Sequence, residues 1–480
     1  MSTQYDLIVI GGGAAGLTAA GLAAHLGART LLVEEARLGG ECTWTGCIPS
    51  KALVRAAHVA HTVRGAGAFG VRVGDVAVDF PAVMAAVRGV RRHVYEEADA
   101  PGIYTDMGID VRQGTASFVD ARSIQLSEGG ERRVFSARKF VVATGARPDA
   151  PDVEGIEGVP YLTNETIFDL EALPAKLVVL GAGPVGIELA QAFRRLGSAV
   201  TVVDVAPRIL AGDDAELAGM LQDWLEREGV RFLLDARIRS AGGRTGDLTL
   251  EIEGSEAVLG SELLVASGRV PNVQGLRLDA AGVAYDDVGI LIDERCRTSR
   301  SHIFAAGDVT GRFPFTHMAE HMARIAVSNA LLKTRRRIDL RHVPWVTFTD
   351  PELAQVGATE RELHRRGPAF ETFRFPYEKL DRAITERRDI GMIKVHARGW
   401  NGRILGATVL GARAGELICE LALAMHRGVR LRQISDTIHP YPSYGMGVRR
   451  AADEWYVRRR SAGVVRLVRG VFGYRGSVLE

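Results

Sequence analysis

The chain has 480 residues, enough for about three domains of ordinary size or for one repeated architecture. Its composition, 46% hydrophobic and 25% charged, is that of a folded globular protein and excludes a disordered or fibrous chain. The 60 basic residues are balanced by 58 acidic ones, which excludes capture of nucleic acid by a large net positive charge.

The cysteine content and the first residues indicate a cellular compartment. Four cysteines in a chain of this length cannot form the disulfide framework of a small secreted protein. Residues 1–6 have neither the basic region nor the apolar core of a signal peptide. No apolar run approaches the roughly 18 residues of a spanning helix. We therefore expect a cytoplasmic protein.

The first predicted unit combines two strands, a glycine-rich turn and a helix. In chain order these are an apolar strand (7–10), the turn (11–16), a small-residue helix (17–27) and a strand (30–33). Gly11 would make a tight turn, Gly13 would admit a pyrophosphate to the backbone, and Gly16 would let the helix approach the strand. Glu34 ends the second strand and would accept hydrogen bonds from a ribose. This order predicts a dinucleotide site.

The same unit recurs in the second third of the chain. Its parts are a strand (177–180), a turn carrying Gly181, Gly183 and Gly186, a helix ending at 197 and a strand (199–203). Asp204 follows its third glycine at the same distance as Glu34 does. Two such units predict two dinucleotides, most economically a flavin and a nicotinamide, rather than glycine-rich turns of an unrelated α/β fold. A carboxylate at Asp204 suits a free 2′-hydroxyl, and Arg208 is the only arginine at hand for a 2′-phosphate, so we expect NADH rather than NADPH.

The remaining elements differ from these two units. A strand ends at Gly268, and another, over 302–306, leads into Gly307 and the acid Asp308. From about residue 341 the strands, such as 343–348 and 391–395, alternate with helices and carry no glycine fingerprint. We interpret this last part as a separate α+β domain.

A pair of cysteines precedes a predicted helix. Cys42 and Cys47 lie shortly before a helical stretch that we predict from Ala52. A zinc site is disfavoured because no second C-x-x-C and no histidine at ligand spacing accompany them. Two interpretations of the pair stay open. The cysteines are either two unrelated core residues or a redox disulfide at the start of a helix, where the helix dipole lowers the pKa of a thiol. Cys296 and Cys419 stand alone, and we expect both to be buried and inert.

The segment around the pair is specific. Residues 38–51, LGGECTWTGCIPSK, resemble the active-site segment of the class I pyridine nucleotide–disulfide oxidoreductases, which include dihydrolipoamide dehydrogenase, glutathione reductase and mercuric reductase. Residues 143–145 and 305–308 look like the flavin motifs of that family, and 348–352 resemble the opening of its dimerisation domain. The resemblance covers nearly the whole chain.

This resemblance implies an α/β fold with two Rossmann-like dinucleotide-binding domains, for FAD and NAD, and a C-terminal α+β dimerisation domain. The expected boundaries are 1–150 with 275–340 for FAD, 151–274 for NAD(P), and 341–480 for the interface.

The resemblance also implies roles for individual residues. Cys47 would lie against the flavin as the charge-transfer thiolate, and Cys42 would be the interchange thiol that faces the substrate. Lys51 would sit near the flavin, paired with Glu188, and Asp308 would hold the ribityl chain. The implied cofactor-binding residues are Gly11, Gly13, Gly16, Glu34, Lys51, Gly114, Ala116, Thr144, Gly145, Asp308, Gly181, Gly183, Gly186, Asp204 and Gly268.

The chain departs from this family near residue 440. The disulfide reductases carry a partner-subunit His-Pro-Thr with a Glu five residues after the His, a dyad that protonates the leaving thiolate. Here Tyr441 takes the His position and Met446 the Glu position, and a match through His439 instead puts Tyr444 at the Glu position. Tyrosine, ionising near pH 10, is a poor base at neutral pH, which argues against a dithiol substrate. Mercuric reductases also have tyrosine there, but no cysteine follows Cys419 to deliver a metal.

We therefore interpret the chain as a homodimeric flavoenzyme that passes electrons from NADH to a metal ion or another small acceptor, as mercuric reductase does. Three alternatives stay open: a dihydrolipoamide dehydrogenase or other thiol–disulfide reductase with His439 as base, an NAD(P)H quinone reductase or diaphorase with dispensable cysteines, and a non-catalytic NADH-sensing module. We expect Tyr441 at the mouth of the active site, and His439 as a packed loop residue or the base.

The tail from Trp455 is basic and partly apolar. Its arginines are Arg458, Arg459, Arg460, Arg466, Arg469 and Arg475, its single acid is Glu480, and its interleaved apolar residues are Val464, Val465, Leu467, Val468, Val471 and Phe472. Such an end can dock on an anionic membrane surface, although a solvated or dimer-packed tail is the commoner arrangement.

Overall fold

The computed structural model describes residues 4–149, 151–459 and 462–476, so Arg460 and Glu480 of the tail lie outside the described residues. The chain forms two compact units. The first comprises the chain up to Pro207 together with Glu226–Ile338, and the second comprises Arg208–Leu225 together with the chain from Asp339.

The strands of the described residues are β1 (Tyr5–Ile10), β2 (Thr30–Glu34), β3 (Asp110–Gln113), β4 (Thr115–Asp120), β5 (Ser123–Glu128), β6 (Glu131–Val142), β7 (Ala146–Pro148), β8 (Lys176–Leu180), β9 (Ala199–Val203), β10 (Val230–Leu233), β11 (Ile238–Arg244), β12 (Asp247–Ile252), β13 (Val258–Gly260), β14 (Glu262–Val265), β15 (Arg269–Pro271), β16 (Tyr285–Asp286), β17 (Gly289–Ile290), β18 (Ile303–Ala305), β19 (Pro344–Thr347), β20 (Glu352–Gly357), β21 (Glu371–Pro376), β22 (Met392–Ala397) and β23 (Ile404–Gly411).

The α-helices are α1 (Ala14–His25), α2 (Gly40–Trp44), α3 (Cys47–Arg64), α4 (Phe80–Val94), α5 (Pro101–Asp106), α6 (Pro184–Leu196), α7 (Ala215–Arg227), α8 (Leu278–Ala281), α9 (Thr316–Leu331), α10 (Glu360–Arg366), α11 (Asp381–Thr385), α12 (Ala414–Arg427), α13 (Leu431–Asp436), α14 (Gly445–Arg459) and α15 (Ala462–Phe472).

The first glycine-rich turn lies in the middle of a parallel sheet. β1 pairs in parallel with β2 on one side and with β6 on the other, β3 continues beyond β2, and β18 adds to β6. Leu7, Ile8 and Val9 are fully buried, which explains the unbroken apolar run, because helices cover both faces of such sheets. The predicted order of strand, turn, helix and strand is confirmed.

The second turn belongs to a separate parallel sheet in the same unit. Its strands follow the order β10–β9–β8–β14, and α6 leaves the turn after β8. Leu177, Val178 and Val179 are buried in it, like their counterparts in β1. The repeated element order in the sequence therefore corresponds to two repeated sheets.

The second unit is built on an antiparallel sheet of the order β19–β20–β23–β22–β21. The apolar face of α12, with Leu417, Ile418 and Leu421, belongs to the buried core of this unit. This arrangement confirms the predicted α+β domain. Among the described residues no helix combines the length and apolarity needed to cross a bilayer.

A buried ion cluster holds the segment Arg208–Leu225 within the second unit. The Lys394 Nζ, on a side chain 1% exposed, lies 2.9 Å from Asp214 Oδ2, 2.8 Å from Glu216 Oε2 and 2.5 Å from Glu360 Oε2. Asp214, Glu360 and His396 offer ligand atoms within 4.8 Å of one another. The Lys394 ammonium already supplies the cation that these carboxylates need, because a buried charge must be paired.

Candidate active site

Two glycine-rich turns form matching cradles at the carboxyl ends of β1 and β8. Gly11 has φ +103°, and a Cβ there would lie 2.3 Å from a neighbouring carbonyl oxygen. A Cβ on Gly16 would lie 1.8 Å from the Gly11 oxygen. In the second turn, a Cβ on Gly186 would lie 2.0 Å from the oxygen of Gly181, whose φ is +107°. Both turns therefore need glycine where helix and strand approach closely.

The helix N-termini behind these turns face open space. Gly13 and Gly183 are the N-caps of α1 and α6, and no side chain caps either helix. A Cβ on Gly183 would meet no atom within 4 Å, and one on Gly13 would meet only Gly40 Cα at 3.7 Å. Backbone N–H groups and the positive end of the helix dipole are thus available to a pyrophosphate. Both sites fit dinucleotides.

A carboxylate is held against each turn in the same way. Glu34 Oε2 accepts from the Gly12 N–H at 2.6 Å, and Asp204 Oδ2 accepts from the Ala182 N–H at 2.5 Å. The second oxygen of each accepts from the N–H two residues further along. Burial raises the pKa of Glu34. The two acids are therefore placed alike, as ribose acceptors would be.

Two of the predicted flavin residues lie beside β2 and in the neighbouring hairpin. The Gly114 N–H donates to the Glu34 carbonyl at 2.8 Å. Ala116 is buried in β4, where it pairs with Leu126 of β5. Gly114 thus lies next to the acid that ends β2, whereas Ala116 packs into the hairpin.

The other predicted cofactor residues lie in loops and one short turn, and Thr144 and Gly145 are both hydrogen-bonded to Asn272. Thr144 Oγ1 donates to the Asn272 carbonyl at 2.8 Å, and the Asn272 N–H donates to the Gly145 carbonyl at 3.0 Å. The Gly268 carbonyl accepts from a backbone N–H of the segment after β7. Asp308 opens a 3-10 turn directly after β18, and burial raises its pKa.

The cysteine pair lies at two consecutive helix starts. Cys42 is within the short helix α2, and Cys47 is the first residue of α3. The helix that the sequence predicts from Ala52 therefore begins five positions earlier, with Pro49 in its first turn, where proline is well tolerated. Both cysteines are free thiols, Cys42 partly buried and Cys47 exposed.

The pKa values of the two thiols are shifted in opposite directions. Hydrogen bonding from Cys42 is the main cause that lowers the pKa of Cys47 to about 6, with further lowering by Thr316 and by the charge of Lys51. Thr316 Oγ1 lies 3.3 Å from Cys47 Sγ. The same hydrogen bond, together with burial, raises the pKa of Cys42. One thiol of the pair is therefore poised as a thiolate at neutral pH, and the other as its proton-bearing neighbour.

Lys51 and Glu188 form an ion pair beside the thiols. Lys51 Nζ lies 2.8 Å from Glu188 Oε2, and the Glu188 side chain is buried in α6. Lys51 comes from α3, the helix that begins at Cys47, and Glu188 comes from α6, the helix after the second glycine-rich turn. The ion pair therefore joins the helix that carries Cys47 to the helix behind the second turn.

Several residues of this site have no signal in the sequence. Glu41, directly before Cys42, accepts from two nitrogens of Arg269, one of them at 2.6 Å, and from Asn164 Nδ2 at 2.8 Å. Arg269 also lies 3.7 Å from Asp308. Arg269 and Asn164 are each more than one hundred residues from Glu41 in the chain, so no local spacing could reveal these contacts.

Asp99 is a second acid that the sequence does not single out. It ends a π-helical turn over Tyr95–Asp99 and accepts from Thr43 Oγ1 at 2.6 Å. Its charge contributes to the raised pKa of Cys42. Such turns are rare and recur at functional sites, which is the one feature that could have pointed to it.

Trp44 fixes the loop between the two cysteines. Its ring lies 4.1 Å from the guanidinium of Arg37, 5.6 Å from that of Arg91 and 4.8 Å from the Tyr95 ring. Its Nε1 donates to the Leu38 carbonyl at 2.8 Å. These contacts restrain the backbone that positions Cys42.

His439 and Tyr441 lie in the second unit. The His439 ring nitrogens face two oxygens, Glu420 Oε1 at 3.1 Å and the Thr437 carbonyl at 3.0 Å. The position five residues after the histidine, where the family has a glutamate, predicted no carboxylate here, whereas the structure places Glu420 beside His439. Tyr441 is 70% exposed and lines an open cavity of about 280 Å³ with Lys379 and other residues of this unit.

The two remaining cysteines differ from each other. Cys296 is buried, as expected, and burial raises its pKa. Cys419 is exposed on α12, so the expectation that it is buried was wrong. Its neighbours Leu417, Ile418 and Leu421 take the core face of that helix, which leaves position 419 on the outer face.

Comparisons with known proteins agree with this architecture. A family model described as pyridine nucleotide-disulphide oxidoreductase matches residues 5–323, and the model of its dimerisation domain matches residues 343–452. The chain is 36% identical over 462 residues to a mercuric reductase of Streptomyces lividans, covering 94% of this chain and 96% of that protein. It is 31% identical over 466 residues to the dihydrolipoyl dehydrogenase of Bacillus subtilis, covering 94% and 98%.

A solved structure is also similar over almost the whole chain. This is the Cu(II) complex of the HOCl-induced flavoprotein disulfide reductase RclA from Escherichia coli, with a TM-score of 0.84 and 28% identity. The match covers 95% of this chain and 100% of that chain. The fold of this chain thus occurs in a known flavoprotein disulfide reductase.

Proposed function

Since this chain belongs to the pyridine nucleotide-disulphide oxidoreductase family, we propose that it is a cytoplasmic flavoenzyme that passes electrons from NADH through FAD to Cys42 and Cys47, and from them to a metal ion. The family binds FAD and a pyridine nucleotide, and the match of its dimerisation domain supports a homodimer. The observation that supports this proposal best is geometric: Cys42 and Cys47 lie at consecutive helices, with Thr316 at 3.3 Å from Cys47 and the Lys51–Glu188 ion pair one turn further along the second helix.

The residues of the first unit divide the work. Gly11, Gly13, Gly16 and Glu34 would hold FAD, which supplies a hydride-accepting ring between the nicotinamide and the thiols. Lys51 keeps a positive charge beside Cys47 and so favours its thiolate. Cys42 keeps its proton until an acceptor approaches, because an anionic neighbour and burial disfavour a second thiolate.

A preference for NADH is supported at Asp204. Its carboxylate is fixed beside the second turn, where it would bind the 2′-hydroxyl of a ribose and repel a 2′-phosphate. Arg208 is the nearest arginine in the chain, and its guanidinium donates to the carbonyls of Leu210 at 3.1 Å and Ala211 at 2.6 Å. That guanidinium is therefore engaged with backbone oxygens.

A metal-ion acceptor is supported by the relatives and by the second unit. Mercuric reductases are among the similar proteins, and RclA was solved as a Cu(II) complex. Transfer of electrons to a metal ion requires no protonation of a leaving thiolate. A dithiol substrate would require a base, and Tyr441 takes the position of the family's histidine, where a tyrosine side chain is a weak base at neutral pH. The dihydrolipoamide alternative would have to rely on His439, which lies 3.1 Å from Glu420 Oε1.

An anaerobic titration of the purified yellow protein with NADH tests the electron path. We expect uptake of two electron pairs, with a long-wavelength thiolate–flavin absorbance band after the first pair, since the cysteines would form a second redox centre beside FAD. Uptake of a single pair with simple bleaching would overturn the thiol relay and favour a quinone reductase or diaphorase.

The acceptor is tested separately by steady-state NADH oxidation with Hg(II), Cu(II), lipoamide and a soluble quinone. We expect the metal ions to give the highest kcat/KM, with Hg(II) buffered by an excess of a small thiol and Cu(II) by a chelator that it does not oxidise. Faster turnover with lipoamide would instead support the dihydrolipoamide reading. Parallel assays with NADPH give the nicotinamide preference on the same enzyme.

A further inference from the structure

The last described helix, α15, has an apolar face that is exposed to solvent. Leu467 is 67% exposed, Val471 68% and Phe472 64%, and Val468 is exposed as well. At 100° per residue these four side chains share one side of the helix. Arg466 and Arg469 project from the other side, so apolar and cationic residues are segregated.

A helix of this length needs a surface to pack on. α15 has 11 residues, and isolated helices shorter than about 12–15 residues are marginal in water. Helices of globular proteins gain most of their stability by burying an amphipathic face, yet the apolar face of α15 is open. An uncovered face on so short a helix points to a partner surface.

The charge of the surrounding sequence identifies the kind of partner. Between Trp455 and Leu479 the chain contains six arginines and no acidic residue. A surface that complements it must be apolar at its centre and anionic around it. A bilayer with anionic headgroups has this chemistry: acyl chains accept apolar side chains, and lipid phosphates accept hydrogen bonds from guanidinium groups.

Two other partners fit less well. A second copy of this chain is nearly neutral overall, and the matched dimerisation domain ends at residue 452, before α15 begins at Ala462. A nucleic acid would engage the arginines but leave the apolar face exposed. Neither accounts for both faces of the helix.

We propose that α15 lies on the surface of a bilayer containing anionic lipids, with Leu467, Val471 and Phe472 among the outer acyl chains. Arg466 and Arg469 then reach the phosphates from the polar side, as long cationic side chains do at interfaces. Tyr474, stacked on Phe472 with ring centroids 5.8 Å apart, carries an aromatic ring with a polar tip at the same end. The proposal is independent of the electron acceptor.

Flotation of the full-length holoenzyme with lipid vesicles tests this docking. One set of vesicles is phosphatidylcholine alone, and the other is phosphatidylcholine and phosphatidylglycerol in equal parts. We expect binding to the second set only, weakening as salt is raised, because exposed charges are screened. Loss of one arginine is expected to weaken binding about fivefold, and Arg466→Gln with Arg469→Gln about thirtyfold.

Two matched pairs of variants separate the tail from the rest of the surface. Leu467→Ser with Val471→Ser should abolish binding, whereas Val134→Ser with Leu259→Ser, exposed apolar residues elsewhere, should not change it. Arg239→Gln with Arg335→Gln is the control for charge. The flavin content and NADH-dependent flavin reduction of each variant verify that it is folded.

Several results would overturn the proposal. These are equal binding to both vesicle types, no binding to either, or binding that the tail variants leave unchanged. Sedimentation velocity provides a further check: a lower oligomeric state in Leu467→Ser with Val471→Ser would show that a second copy covers the helix. Salt-sensitive retention of a DNA duplex that is lost only in the arginine variants would show a nucleic-acid surface instead.

Discussion

The two glycine-rich turns share one backbone plan, but the first has the segment that leads to the cysteines packed on it. There the Gly39 N–H donates to the Gly12 carbonyl at 2.9 Å, and a Cβ on Gly12 would lie 2.4 Å from Leu38 Cδ2. A Cβ on Gly40 would lie 2.6 Å from Gly13 Cα. The segment that leads to the cysteines thus packs directly on the turn.

The second turn has Ala182 at the position of Gly12, and a Cβ on Gly183 would meet no atom within 4 Å. The difference shows that two kinds of constraint operate on similar motifs. The first and last glycines of each turn are required because the helix and the strand approach each other too closely there for a Cβ. The extra glycine of the first turn, Gly12, is required because the segment that leads to Cys42 packs against it. The glycine at this position is therefore explained by the packing of the redox site.

The largest effect on activity is expected from removing the Cys42 thiol, which lies on the segment packed against the first turn. Cys42→Ser should lower NADH-dependent metal reduction on the order of a thousandfold, since a serine hydroxyl cannot be oxidised to a disulfide. Stopped-flow reduction of the flavin by NADH should persist. Cys419→Ser, which alters the exposed cysteine of α12, serves as the control. Full turnover by Cys42→Ser would mean that the cysteines are dispensable.

The packing difference can be tested with two added methyl groups, one on the segment that packs on the first turn and one in the second turn itself. Gly40→Ala should destabilise the fold by about 1–3 kcal/mol, because its Cβ would meet backbone rather than a flexible side chain. Gly183→Ala should cost much less, since its Cβ has room. Thermal unfolding and the fraction of retained FAD measure both variants. Equal losses of stability in the two variants would show that the two sites are packed alike.

The two carboxylates should differ in which cofactor they affect. Asp204→Asn removes the charge that repels a 2′-phosphate, so the kcat/KM ratio of NADH to NADPH should fall about tenfold. Glu34→Gln should weaken FAD retention and leave that ratio unchanged. Steady-state kinetics with both nucleotides and a flavin-release assay provide the two readouts. A changed ratio in Glu34→Gln would contradict the assignment of the turns.

The smallest effect concerns the Lys51–Glu188 ion pair, which joins the helix that carries Cys47 to the helix behind the second turn. Lys51→Met removes a cation beside Cys47 and should raise the pKa of its thiolate by about one unit. Glu188→Gln removes an anion and should lower that pKa. A pH titration of the thiolate–flavin band in the two-electron-reduced enzyme measures both. Shifts of the same sign would show that the substitutions act through structure instead of charge.

The sequence predicted the features that depend on residues close to one another in the chain. The strands and helices around both turns, the acids Glu34 and Asp204, and the position of Cys47 near a helix start depend on residues within about thirty positions. Hydrophobic periodicity and glycine spacing are sufficient for such features.

The features that sequence reasoning missed are contacts between distant parts of the chain. Thr316 reaches Cys47, Arg269 reaches Glu41, and Glu420 reaches His439 only after folding. Cys419 was misjudged because a lone cysteine on a helix has no periodic signal of its own, and its exposure depends on which face the neighbours bury. Chain topology, not residue type, decides these positions.

The buried Lys394 cluster has a consequence for dissecting this chain into pieces. The segment Arg208–Leu225 lies between two stretches of the first unit, yet Asp214 is bound to a lysine that comes 180 residues later. A fragment that ends at Ile338 would keep Asp214 and lose its counter-ion. Such a fragment would contain the whole first unit, but it would also carry the segment Arg208–Leu225 without the unit in which that segment packs. We therefore expect a protease that cuts near residue 338 to cut next within this segment.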